Sequence, residues 1–120
     1  MTSELRSAKY ILLTTFRKDG TPVATPVWVV ADEDALYAWS NATAGKVKRL
    51  RHTSRVTVAP CTVRGTPTGE TVEASATLLD TDGTARVVRM INRKFWLLGP
   101  LTTLRAKPHE GRTVAIRIDV

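Results

Sequence analysis

Between residues 39 and 61 the sequence reads WSNATAGKVKRLRHTSRVTVAPC, and five basic side chains, Lys46, Lys48, Arg49, Arg51 and Arg55, crowd into it. Lys46 and Arg49 stand three apart, a spacing that puts both on one face near a helix start, where the free backbone N–H groups of the first turn also favour an anion. Arg51 and Arg55 follow at the end of the helix and the start of the next strand. A guanidinium fork and an ammonium point charge suit phosphate and carboxylate groups, which they bind through charge-assisted hydrogen bonds. The same charges on a solvated helix face would serve solubility alone, and composition does not choose between the two.

Other chemistries lack their parts. The sequence has no CxxC pair, no histidine pair at ligand spacing and no phosphate-loop glycine pattern, so structural zinc, a catalytic metal and P-loop nucleotide chemistry are set aside. His52 and His109 stand alone, and no serine or cysteine sits in a nucleophile context, which disfavours a triad hydrolase. Cys61, the single cysteine, follows Pro60 in an apolar run and reads as a small buried hydrophobe that can line a pocket without reacting. No catalytic residue and no metal ligand is assigned.

These side chains need a scaffold. Two β-prone runs, residues 10–16 and 22–30, flank Asp19-Gly20, a dipeptide that tolerates the positive φ of a tight hairpin turn. A second turn at Asp32-Glu33-Asp34 leads into ALYAWS, a third strand expected to complete a meander with the first two. Asn41 or Thr43 can cap a helix of about three turns whose narrow apolar stripe is Val47 and Leu50. RVTVAPCTV resumes strand character, with Pro60 expected at an edge, a bulge or a bend because it cannot donate to a ladder. TVEASATLLD reads as a further strand. Val87, Val88, Ile91 and Phe95 recur at helical spacing up to Gly99-Pro100, and Val114, Ile116 and Ile118 alternate as a final strand. Six strands with two or more helices predict a mainly β protein, a small barrel or strongly curved sheet.

The totals agree with one domain spanning 1–120. At 120 residues roughly two thirds of the unfolded chain's surface can be buried, and a hydrophobic fraction of 42% excludes disorder. The apolar run after Tyr10 breaks too early for a signal peptide or membrane span, which with the lone cysteine predicts a cytoplasmic protein and no membrane partner. A net charge of +7 calls for an anionic partner. Nucleic acid is the less favoured partner, because the aromatics do not alternate with the basic residues along one strand.

The succession DGTPVATPVWVV, LYAWSNATAGKVKRLRHTSRVTVAPC and VEASATLL resembles the split β-barrel flavin and deazaflavin oxidoreductases of the pyridoxamine 5′-phosphate oxidase superfamily, in particular its small F420-dependent members. The likeness runs from about Tyr10 to Leu79 and is most specific in the Lys-x-x-Arg-Leu-Arg-x-x-x-Arg-Val run at Lys46 to Val56. It implies a split β-barrel of the FMN-binding type, six antiparallel strands in Greek-key order with flanking helices, assembled as a homodimer with cofactor sites at the subunit interface. It further implies an oxidoreductase that passes a hydride between the deazaflavin F420 and a small unsaturated substrate. Thr25, Pro26, Val27 and Trp28 would then run along the ring, Lys46 would hold the phosphate, and Arg49 and Arg51 would contact the tail. Ser40 would lie close by, and Pro60 and Cys61 on the neighbouring strand. FMN in the same fold, a non-catalytic cofactor-binding protein and a nucleic-acid-binding barrel are the alternatives. Since the cofactor carries the reactive carbon, missing catalytic motifs are what this reading expects. Trp28, Trp39 and Trp96 are candidates to flank a flat ring, Trp96 from the partner subunit.

Overall fold

Alternation decides which face of the first strand goes inside. In a computed structural model that describes residues 3–41, 44–96 and 113–120, Ile11, Leu13 and Thr15 of β1 (Tyr10–Phe16) are fully buried while their neighbours are half-exposed. The turn after β1 closes as Asp19-Gly20 predicts: Gly20 takes φ +91°, its N–H meets the Arg17 carbonyl at 2.8 Å, and the Asp19 carboxylate accepts the Thr21 N–H at 3.0 Å. That backbone N–H holds the Asp19 carboxyl below its ordinary range. The hairpin partner is β2 (Pro22–Trp28), in a register that sets Tyr10 opposite Trp28 and Phe16 opposite Pro22.

The second β-prone run does not continue as one strand to residue 30. It breaks at Val29, and β3 (Val30–Asp32) pairs with β4 (Ala35–Asn41) around a turn in which Glu33 takes φ +52°. The remaining strands are β5 (Arg55–Cys61), β6 (Val72–Leu78) and β7 (Thr113–Asp119), joined with the others into one antiparallel sheet ordered β2-β1-β5-β6-β7-β4-β3. The described residues thus hold seven strands where six were expected. The expected meander is also corrected: β4 lies beside β3 and β7, and β2 sits at the opposite edge. Only Val29 separates β2 from β3, so a sheet whose two edges are consecutive in sequence must curl until they adjoin. Val29 is fully buried at that seam, and its N–H donates to the Lys9 carbonyl. The result is a split, half-closed barrel.

Two cores follow from the curl. Inside it pack Ile11, Leu13, Leu36, Val56, Ile116 and Ile118, with Leu5 of the short α1 (Ser3–Ser7) closing one end. Outside, α3 (Thr81–Trp96) lays Val87 and Ile91, one turn apart, on Ala35, Tyr37 and Ala115. β4 therefore buries both faces, which explains its unbroken apolar run Ala35 to Ala38. The helix begins earlier than the apolar periodicity suggests. The Asp80 side chain caps the Gly83 N–H at 2.8 Å and the Asp80 carbonyl meets the Thr84 N–H. Its expected stop at Gly99-Pro100 lies outside the described residues.

Pro60 sits in β5 where a missing N–H costs nothing. β6 pairs with β5 only from Arg55 to Val58, and beyond that point the Pro60 carbonyl accepts the Thr68 N–H instead. β7 shows the converse. Past the end of its β6 ladder, the Ala115 N–H is taken by the hydroxyl of Thr84, a buried side chain on α3, at 2.9 Å. Thr84→Val keeps the shape and orphans that donor, so it should cost about 2 kcal/mol in urea unfolding, whereas the exposed Thr77→Val should change stability by less than about 0.5 kcal/mol.

Candidate functional site

The curl brings together residues that the flat strand order keeps apart. Trp28, at the end of β2, and Trp39, on β4, approach with ring centroids 6.5 Å apart and planes at 64°, an edge-to-face pair. Around them opens a cleft of about 480 Å³, floored by Tyr10, Pro26 and Val27 and flanked by Ser40 and Val63. Ser40 is buried, and its hydroxyl makes one long contact, 3.4 Å, to the Asn41 carbonyl. Val63 stands 62% exposed at the rim.

Among the described residues one charge enters this cleft. α2 (Gly45–Leu50) is shorter than the three turns expected: Ala44 is the N-cap in place of Asn41, with no side-chain bond, its own N–H meets the Asn41 carbonyl, and Thr43 lies outside the described residues. Val47 and Leu50 bury the apolar stripe as expected and so turn Lys46 toward the tryptophans. Burial, and secondarily the charge of Arg49, lower the Lys46 pKa. Among the described residues no carboxylate lines the cleft to compensate. A half-desolvated ammonium beside flat apolar walls suits a ligand that carries both an aromatic system and an anionic group.

Five of the residues singled out from sequence, Pro26, Val27, Trp28, Ser40 and Lys46, thus share one opening. Thr25 lies one step along β2, half-buried and opposite Leu13, without lining it. Arg49 faces elsewhere: its Nε donates to Thr15 Oγ1 at 2.6 Å, and the guanidinium borders a second cleft. Arg51 is exposed at the C-cap of α2 and lines neither. Pro60 and Cys61 border a third hollow with Glu4, Lys9 and Thr68. Cys61 is half-buried, and that burial raises its thiol pKa, which favours the protonated form. The Trp96 side chain and His109 lie outside the described residues. Among the described residues no three His, Cys, Asp or Glu side chains stand together as a metal site would need, and no helix is long and apolar enough to cross a membrane.

Sequence reasoning missed Tyr10 and Val63. Tyr10 was findable, because a hairpin centred on Asp19 places it across from Trp28. Val63 sits in an irregular loop and gives no such signal.

A family model described as pyridoxamine 5′-phosphate oxidase matches residues 1–120. Among solved structures, an F420 reductase superposes with a TM-score of 0.69 at 23% identity over 98% of this chain and 90% of its own. The heme storage protein HutZ of Vibrio cholerae gives 0.69 at 13% identity, covering 97% and 84%. A protein of unknown function from Agrobacterium tumefaciens gives 0.70 at 16% identity, and there 96% of this chain spans only 49% of the other. No curated protein sequence matches this one.

Proposed function

This chain belongs to the pyridoxamine 5′-phosphate oxidase family, and from that premise we propose that it is an F420-dependent oxidoreductase passing a hydride between the deazaflavin and a small unsaturated acceptor. Its superfamily is one of flavin- and deazaflavin-binding oxidoreductase-like proteins. The observation that supports the deazaflavin reading is the pairing of Trp28 and Trp39 with a half-buried, uncompensated Lys46 in one cleft.

The residues present fit such a group. The β2 segment Thr25 to Trp28 would run along the ring, Ser40 would border it, and Lys46 would hold the phosphate of the tail. Arg51, exposed past the helix, would add attraction for the tail carboxylates, whereas Arg49, turned to the second cleft, would not. When bound, the deazaflavin supplies the hydride from its own ring carbon. The protein's share is to orient that ring and exclude water, which needs no triad. Exclusion is incomplete among the described residues of one chain, where the cleft is open and its lining residue Val63 stands exposed. A second copy closing that opening gives a homodimer with the cofactor between subunits.

Titration of the purified protein with F420 and separately with FMN, followed by fluorescence, tests the reading. F420 should bind up to about threefold tighter than FMN, because its longer anionic tail also meets the exposed Arg51. Light scattering should return twice the monomer mass. Failure to bind either cofactor sinks the oxidoreductase reading, and tighter FMN binding replaces the deazaflavin with a flavin in the same fold.

A further inference from the structure

The second cleft, about 390 Å³, lies on the other side of α2, between that helix and the tip of the β1–β2 hairpin, and no described residue lines both it and the tryptophan cleft. Arg17 and Lys18 reach it from the turn, Arg49 and His52 from the helix and its end, and Arg55 from β5, over a wall made by Phe16. Opposite charge is scarce here. Of the described cations that line it, only Arg55 has a carboxylate within ion-pair distance, Glu73 at 3.0 Å, and it also stacks on the Phe16 ring at 4.3 Å. Asp19, beside Arg17, is engaged with the Thr21 N–H.

Arg49 makes this more than a charged surface. Its Nε is anchored on Thr15 Oγ1, a fully buried hydroxyl pointing into the barrel, so the guanidinium plane is fixed before any ligand arrives. Its terminal nitrogens have no acceptor among the described residues. The guanidinium also needs Gly45, where an added Cβ would stand 2.9 Å from Nη1. Fixing an arginine half-buried in a hollow where no described carboxylate reaches it is costly unless an anion completes it.

We propose that this hollow is a second anion site, separate from the tryptophan cleft, for a small molecule bearing two or more carboxylate or phosphate groups. The spread of the cations, on the hairpin, the helix and β5, calls for more than one anionic group, and the volume suits a small organic molecule better than a lone ion.

The test is a titration at low ionic strength with citrate and with pyrophosphate, acetate serving as the monovalent control, followed by amide chemical shifts on the full chain. Both polyanions should saturate, with shifts concentrated in residues 17–20 and 49–55, and whichever binds tighter names carboxylate or phosphate as the preferred group. Arg49→Gln should weaken binding about tenfold, and so should the exposed pair Arg17→Ala with Lys18→Ala, which leaves the core untouched. Lys46→Ala should leave it within about twofold. Absence of saturation, acetate binding as tightly as citrate, or shifts centred on Trp28 and sensitive to Lys46 would overturn the proposal.

Discussion

Lys46→Ala should weaken F420 binding by roughly fiftyfold, while Arg51→Ala changes it less than about threefold. The difference comes from burial. Lys46 is half-buried in the first turn of α2, and an anion beside it would meet an ammonium already stripped of part of its water. A charge-assisted hydrogen bond there is worth about 1.5–3 kcal/mol, roughly ten- to hundredfold in Kd, whereas Arg51 is exposed and its attraction is screened by salt. Binding should also depend on pH in a fixed direction. The lysine must be charged to hold phosphate, so affinity falls as pH rises through the lowered Lys46 pKa, before the ordinary lysine value of 10.5 is reached.

The same substitution should make the free protein slightly more stable, not less. Because Lys46 titrates lower in the folded than in the unfolded chain, the unfolded chain binds more protons between those two pKa values, and stability rises with pH across that window. Below it the folded protein carries the full cost of a desolvated charge. Removing that charge should raise Tm by about 2 °C at neutral pH, a figure discounted for the side chain's partial exposure. Weaker binding joined to higher stability would mark Lys46 as a ligand-holding residue, and a loss of both would make it a structural one.

How far the sequence could lead to this site is plain from individual residues. Periodicity located β1, β5, β6 and β7, and Asp19-Gly20 announced the hairpin, because those signals act over a few residues. It did not announce the break at Val29. Neither glycine nor proline marks that point, and the chain switches edges there only because the curled sheet brings its two margins together. The edge-to-face pair of Trp28 and Trp39 is therefore a product of closure and was legible only as two separate aromatics. Lys46 was legible from its place in the basic run. Arg49, three residues on, reads as its partner by spacing alone, yet a helix of six residues tucked against β1 sends it to Thr15 instead. Long-range register decided both outcomes, and register is what a single sequence encodes least directly.

Ile116→Ala should cost about 3–4 kcal/mol, read as a lower urea midpoint with an unchanged slope. Ile116 is fully buried in β7, opposite Ala38 on β4 and Leu78 on β6, and packs with Leu36, Val56 and Ile118 in the interior. Truncating it removes transfer free energy and leaves a cavity that strands pinned on both sides cannot close. Against a typical total of about 5–15 kcal/mol that is a large share, whereas Val120→Ala, 45% exposed just past the strand, should change little. The effect should reach the site, since β7 is the sole strand joining β4 and β3 to the rest of the sheet among the described residues, with Ala115 paired directly to Trp39. Loosening β7 lets Trp39 part from Trp28 before β1, β2 and β5 separate. Tryptophan fluorescence should then change at lower urea in Ile116→Ala than the far-ultraviolet signal does, while in the unaltered protein the two transitions coincide. Coincident transitions in the variant would mean that the barrel opens as a single unit and that the seam at Val29, not β7, keeps the tryptophans together.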